Sequence, residues 1–290
     1  MRPLFYSLIL STLASCTPNN SSTTREPPPK PATPPTRVEQ HPGNTKPLPV
    51  EGQAPVAAGE KNPLNLQKAT VAGVALNIVS FDTRDYSLKV VDQASPGSTF
   101  ETAAQVTKAK GALATINGGF FTPEGTPLGM LYQNGKRTGT LNTASSLGSG
   151  VLYIDKKSPE PSIIRRELFR KRLEMPDYSP QEALQTGPYL VEAGKAVSGL
   201  SNKEARNRSI LLWDGEHHFA IAQTGPITLR NLAGALAKQP LTGFQVQIAL
   251  NLDGGRSADL NVSSKVSGGP LNLRGWINKP VRNYLILTKS

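Results

Sequence analysis

Apolar side chains are distributed along the chain in three regimes. Pro3 to Ala14 is a short apolar stretch, Thr17 to about Pro63 is almost free of large apolar residues, and residue 66 onward reads as globular. In the globular part, Val71–Phe81 and Tyr86–Asp92 are apolar and partly alternating, which predicts two strands around the turn Asp82-Thr83-Arg84-Asp85. Ser98 and Glu101 have capping-box spacing, so Phe100–Lys110 is expected to be a helix. Ala112–Asn117 reads as a buried strand, and Leu128–Gln133 with Asn134-Gly135 as a hairpin. Ser179-Pro180-Gln181-Glu182 has the form of a second helix start. Ser209–Trp213, the Asp214-Gly215 turn and His218–Gln223 read as another hairpin. Thr228 can cap a helix through Ala237, Phe244–Leu252 alternates into a strand, and Asn283–Leu287 is the last strand. Strands outnumber helices and hairpin turns recur. The expectation is a single α+β domain with a largely antiparallel or mixed β-sheet and a few packed helices.

Composition narrows the chemistry. One cysteine in 290 residues excludes a disulfide framework and any multi-cysteine metal site, and three histidines leave little for a histidine-rich centre. His41 lies in the proline-rich stretch, and His217 and His218 are adjacent beside a turn, pointing to opposite faces of a strand, so an exposed hairpin pair is expected. No serine-hydrolase elbow, phosphate-binding Walker loop, dinucleotide fingerprint or zinc-protease motif is present. The net charge is +11, and its excess falls in residues 66–290. Lys156, Lys157, Arg165, Arg166, Arg170, Lys171 and Arg172 are opposed locally only by Glu160 and Glu167. That segment reads as a solvated basic loop, or else as a patch for anionic partners. No RNA-binding aromatic signature accompanies it, so nucleic acid is not an expected partner.

The first residues read as an address. Arg2, the apolar stretch and Leu13-Ala14-Ser15-Cys16 resemble a bacterial lipobox, which implies cleavage before Cys16 and lipid attachment to its thiol. On this reading residues 1–15 are the signal peptide and 16–65 a lipidated cysteine with a disordered, Pro-rich tether. Residues 66–290 are then the folded domain. The expected location is the bacterial cell envelope, membrane-anchored and periplasmic, at the outer membrane if the cell is Gram-negative.

Three glycine-rich segments follow predicted strands: Ile116-Asn117-Gly118-Gly119-Phe120-Phe121, Gln185-Thr186-Gly187-Pro188 and Asn251-Leu252-Asp253-Gly254-Gly255-Arg256-Ser257. Paired glycines let backbone approach a ligand closely and expose N–H groups, although each alone is equally a turn or bulge. Together with Arg208-Ser209-Ile210 and Pro280-Val281-Arg282-Asn283, the segments resemble the phosphodiester glycosidase family, from about residue 70 to the C-terminus. That family includes the lysosomal-pathway "uncovering enzyme". Arg256 stands where many members carry another glycine.

The resemblance implies cleavage of a sugar C1–O bond with a phosphate monoester leaving. Phosphate, with a second pKa near 6, departs without much help from a general acid. The site then needs cations and N–H groups for the phosphate and a carboxylate for the sugar side. By this resemblance the catalytic candidates are Asp253, as base, nucleophile or organiser of its own turn, with Arg282 and Arg208 on the phosphate. Asn117, Gly118, Gly119, Phe120, Thr186, Gly187, Gly254, Gly255, Arg256 and Asn283 are substrate-binding candidates. Glu124 is an outside second carboxylate. Arg256 is alternatively a surface arginine paired with Asp259. No cofactor is implied with any force. A divalent cation is conceivable, since Asp253 and Asn117 offer oxygen ligands. The expected partner is a sugar-phosphate-containing glycan or cell-wall polymer, and the expected function an envelope-anchored hydrolase. The alternative is a non-catalytic envelope lipoprotein of the same fold that binds anionic glycan.

Overall fold

The computed structural model describes residues 64–238, 241 and 245–290. The expected signal peptide, Cys16 and all but the end of the expected tether lie outside the described residues, as does Phe244. In chain order the elements are β1 (Asn65–Val71), β2 (Val74–Asp82), β3 (Tyr86–Asp92), α1 (Ala103–Lys110), β4 (Ala114–Asn117), β5 (Leu131–Gln133) and β6 (Lys136–Thr138). Next come β7 (Gly150–Asp155), β8 (Pro161–Arg165), α2 (Arg166–Leu173), β9 (Pro180–Thr186), β10 (Tyr189–Glu192) and β11 (Lys195–Ala196). The last are β12 (Arg206–Trp213), β13 (His218–Ile227), α3 (Leu229–Leu236), β14 (Ile248–Asn251), β15 (Asp259–Val262), β16 (Leu271–Arg274) and β17 (Asn283–Lys289).

Among the described residues the strands form three sheets, in the orders β1-β2-β13-β12-β14-β10-β11, β16-β15-β4-β17-β3 and β6-β5-β9-β7-β8. Within each sheet neighbouring strands pair antiparallel. One face of every sheet joins a common core through Val79, Leu88, Ile116, Leu152, Leu184, Leu211 and Leu285. Each opposite face is covered by one helix. Leu232 and Leu236 of α3 pack on Ile78, Ile210 and Leu212; Ala103 and Val106 of α1 pack on Tyr284 and Ile286; Phe169 of α2 packs on Val151 and Tyr153. The central strands are therefore buried on both faces, which explains why they read as continuous apolar runs rather than clean alternation.

Several local expectations are corrected. Val71–Phe81 is not one strand, because the chain reverses at Ala72-Gly73, both at positive φ (47° and 76°), and β1 pairs back on β2. β1 begins at Asn65, so the folded domain reaches into the expected tether. β2 and β3 flank the foreseen turn but enter different sheets. Helix α1 starts at Ala103, capped by Thr102, whose Oγ1 accepts from Gln105 N at 3.2 Å. The Ser98–Glu101 box does not form, because Gln93 Oε1 takes the N–H groups of Thr99 and Phe100 and holds them outside the helix. Ser179-Pro180 opens a strand, β9, and not a helix. Proline is tolerated at its first position, and Glu182 spends its carboxylate on the N–H groups of Val90 and Asn134.

The basic segment is a loop only at Lys156 and Lys157, which are exposed between β7 and β8. The rest folds into β8 and α2, and its arginines find acids that are distant in sequence or hidden by the helix period. Arg165 pairs with Glu192, Arg172 with Asp155 at 3.4 Å and Arg170 with Glu174 at 3.7 Å. His217 and His218 sit at the end of the β12–β13 hairpin beside Glu160, Asp82 and Asp214, as an exposed hairpin pair would.

Candidate functional site

β4 and β14 lie in different sheets, and the first and third glycine segments leave their C-terminal ends. They meet at a seam. Asp253 N–H donates to Gly118 O at 2.9 Å, and Asn117 Nδ2 donates to Asp253 O at 2.7 Å. Asn117 is fully buried, and its Oδ1 accepts from Ser209 Oγ at 2.6 Å and from Asp259 N at 3.1 Å. Its side chain thus bolts β4, β12, β15 and the Asp253 turn together. The oxygen that the sequence reading offered to a sugar or a cation is filled by two protein donors.

Gly118, Gly119 and Asn283 form a second bolt. Gly118 N–H donates to Asn283 O at 2.9 Å, and Gly119 N–H to Asn283 Oδ1 at 2.7 Å, so neither amide is free for a phosphate oxygen. A Cβ on Gly118 would collide with Asn283 Oδ1, so glycine is required for close approach. Gly118→Ala is therefore expected to displace Asn283 and cost about 1–3 kcal/mol. A lowered denaturation midpoint with unchanged m-value would show it, and a midpoint equal to that of the parent would refute it.

The middle segment is a buttress. Thr186 is buried and its Oγ1 donates to Asn251 O at 3.0 Å, while Gly187 O accepts from Asn251 Nδ2 at 3.2 Å. A Cβ at Gly187 would collide with Ser146 O. Thr186 and Gly187 thus support the strand that carries the Asp253 turn, instead of reaching a substrate.

Beyond the seam opens a cleft of about 440 Å³ lined by Pro96, Phe121, Thr122, Asp253, Arg256 and Lys279, among others. The aromatic wall is Phe121; Phe120 is not among the lining residues, and its carbonyl accepts from Leu128 N at 2.9 Å. Glu124 is exposed on the same loop, and a hydrogen bond with Thr122 holds its carboxyl below the usual range. Asp253 is the acid at the cleft. Burial pushes its carboxyl up to about 6, against the opposing pull of the Ser257 hydroxyl, the Gly254 N–H and the Arg206 guanidinium. Gly254 N–H donates to Asp253 Oδ1 at 2.8 Å, so the carboxylate also organises its own turn.

Cations flank that turn on both sides. Arg256 is exposed, donates Nε to Ile277 O at 3.2 Å and has no bond to Asp259. Asp259 is taken by Arg274 at 2.6 Å and by Ala103 N at 2.9 Å, which removes the expected Arg256–Asp259 pair. Lys279 N–H donates to Arg256 O at 3.0 Å, placing a second cation on the same wall. On the other side Arg208 gives Nε to Ile227 O and Nη2 to Glu204 O, leaving Nη1 without a partner among the described residues, and burial lowers its pKa. Arg206, two residues earlier on β12, lies close enough to Gly255 that a Cβ there would be 3.5 Å from its Nη1. Lys279 and Arg206 were not foreseen. Strand alternation with Arg208 was the available signal for Arg206, and adjacency to the Pro280-Val281-Arg282-Asn283 motif for Lys279.

Arg282 is placed differently from the expectation. It is 8% exposed, donates Nε to Asp92 Oδ1 at 2.9 Å and Nη2 to Asp92 Oδ2 at 3.3 Å, and gives Nη1 to the carbonyls of Ala94 and Gly125. Its donors are consumed inside the protein. Two residues past Ala94 is Pro96, and the Gly125 loop carries Thr122, so Arg282 ties down two segments of the cleft wall. Among the described residues no group of three or more His, Cys, Asp or Glu is placed to hold a metal.

Known structures share this architecture. The catalytic domain of zebrafish N-acetylglucosamine-1-phosphodiester α-N-acetylglucosaminidase, auto-inhibited by its pro-peptide, aligns over 80% of this chain and 86% of its own. The TM-score is 0.55 and the identity 17%. A hypothetical protein from Synechocystis aligns with TM-score 0.51 at 14% identity, over 78% of this chain and 61% of its own. These likenesses establish the fold. No curated protein matches the sequence significantly. A sequence model described as phosphodiester glycosidase (NAGPA) matches residues 110–288, a span that contains all three glycine segments, and the chain belongs to the phosphodiester glycosidase family.

Proposed function

We propose that this chain is a hydrolase that cleaves the glycosidic bond of a sugar-1-phosphodiester in a glycan or cell-wall polymer, held at the cell envelope by lipid on Cys16. The observation that carries the reading is the position of Asp253, with its carboxyl raised to about 6, in a cleft shared with Arg256, Lys279 and the Phe121 ring. At pH 7 a carboxyl of that pKa is about nine-tenths ionised. It can take a proton from water or attack C1 itself, while cations stabilise the phosphate that departs. Arg256 and Lys279 bind the leaving phosphate, with the free Nη1 of Arg208 as a third donor. Phe121 packs against the sugar. Asn117, Asn283 and Arg282 position the turn and the walls.

The test is release of N-acetylglucosamine from its α-1-phosphodiesters by the full chain. Arg256→Ala is expected to lower kcat/KM about 10- to 100-fold, the value of one or two charge-assisted hydrogen bonds to a developing dianion. Silence of the wild type across a panel of sugar-1-phosphodiesters would end the reading. Persistent glycan binding without turnover would put a non-catalytic binding protein in its place.

A further inference from the structure

A second cleft of about 360 Å³ lies on the other side of the Asn207–Arg208 segment, and its chemistry differs from that of the first. Its walls carry four side-chain amides: Asn77 on β2, Asn207 on β12, Gln223 on β13 and Asn272 on β16. Gln223 and Asn77 are cross-strand partners, so two of these amides stand side by side on the sheet. Gln223 is only 4% exposed, and its Oε1 has no hydrogen-bond partner among the described residues. A buried amide oxygen left unpaired costs free energy, and a ligand that brings a donor recovers it. The one cation on the wall, Arg274, is neutralised by buried Asp259 at 2.6 Å. The cleft therefore carries amide groups without net charge. Amides carry a donor and an acceptor each, which suits hydroxyl-rich neutral ligands rather than anions.

The two clefts share two boundaries. Asn207 O would lie 2.7 Å from a Cβ on Gly254, next to Asp253. The chain from Arg274 to Lys279 borders the amide cleft at one end and the Asp253 cleft at the other. Five residues fully extended span at most about 17 Å. This loop is folded tighter, since Asn278 N–H donates to Gly275 O at 3.0 Å. At its tip Trp276 is 96% exposed, a large indole standing free among the described residues, flanked by half-exposed Ile277. An aromatic face standing free between two clefts is a platform for the apolar face of a sugar ring.

We infer that the amide cleft and Trp276 form a subsite for the neutral sugar chain of the substrate, so that the preferred substrate is a sugar phosphodiester borne on an oligosaccharide. The inference rests on the proposed hydrolase reading for its orientation, but binding at the subsite requires no turnover. Trp276 is one of two tryptophans; the other, Trp213, is stacked on Phe219 and bonded to Glu216 O, so a sugar-induced emission change reports Trp276.

The full chain is titrated with N-acetylglucosamine oligomers of one to five sugars. The expected result is a blue shift of emission and an affinity about ten-fold higher for the tetramer than for the monomer. Trp276→Phe should remove the shift, and Asn272→Ala and Gln223→Leu should weaken tetramer binding about five-fold or more. Turnover of a phosphodiester with a methyl aglycone should be unchanged in Trp276→Phe and Asn272→Ala. Oligomer binding in a protein that hydrolyses no phosphodiester would sustain the subsite and sink the activity. An absence of length dependence would overturn the subsite. So would a shift produced by phosphatidylglycerol vesicles and by none of the oligomers, which would make the Trp276 loop a membrane contact.

Discussion

Asp253→Asn is expected to lower kcat/KM on a sugar-1-phosphodiester by about 10³-fold, the usual range for losing a positioned acid–base group. It is expected to make the protein more stable at the same time. The carboxyl titrates near 6 in the fold against an ordinary value of 3.8, because its surroundings strip water from the charged form. Between those values the folded state holds a proton that the unfolded state has released, so stability falls as pH rises through that window. Above about pH 6 the folded protein carries the full cost of the buried charge, about 1–3 kcal/mol. Asparagine removes that cost and keeps an oxygen for the Gly254 N–H. Thermal denaturation should show the Asn variant melting higher at pH 8 and level with the wild type below pH 4. The wild-type kcat/KM profile should rise through pH 6 to a plateau, since an ionised carboxylate is the active form when phosphate leaves unaided. A limb that falls through pH 6 would assign Asp253 the acid's role instead. An Asn variant with full activity would remove it from the chemistry.

What the sequence disclosed and withheld follows from the range of the interactions involved. The β12–β13 hairpin was legible because Asp214-Gly215 interrupts two apolar runs with local turn chemistry, and Thr228 announced α3 through its own hydroxyl. The reversal at Ala72-Gly73 was not, because an alanine holds the first positive-φ position and the apolar run passes through it unbroken. Helix propensity at Ser179-Pro180 lost to pairing on β5 and β7, which sequence reading cannot see. One sheet was foreseen and three are found among the described residues, since two-sided burial erases the alternation that separates sheet faces.

At the site, the glycine segments and Asp253 were conspicuous as residue types, but their division of labour was hidden. Asn117, Thr186 and Asn283 have the chemistry of ligand-binding groups and spend it on backbone 65 to 164 residues away. A buried polar side chain must find partners, and in this fold those partners are the turns that shape the cleft. Matching a motif therefore picked out residues that the fold gathers around one seam, while leaving open which of them would touch a substrate. Arg256 shows the converse. It departs from the common glycine, yet it is exposed on the cleft wall with most of its donors unclaimed among the described residues.

Arg282→Met is expected to be the most destabilising single change around the site, at about 3–5 kcal/mol, because it leaves Asp92 as an uncompensated buried charge. The two side chains are 9% and 12% exposed, and the guanidinium also holds the carbonyls of Ala94 and Gly125. For a domain of this size that loss corresponds to a fall in melting temperature of about 10 °C. Activity falls with it, since the loops bearing Pro96 and Thr122 lose their tether. The paired change Asp92→Asn with Arg282→Met separates this positioning role from phosphate contact. If Arg282 serves through Asp92, removing the acid as well recovers at least half of the lost stability, and some turnover returns with it. If Arg282 instead bound phosphate, the single variant would fold normally and raise KM or lower kcat, and the second substitution would restore nothing. The geometry favours the first outcome because every Arg282 nitrogen already has a protein acceptor. A phosphate would have to break the ion pair with Asp92 to reach it, giving up a buried bidentate contact, whereas Arg256 and Lys279 line the Asp253 cleft directly and Arg282 does not.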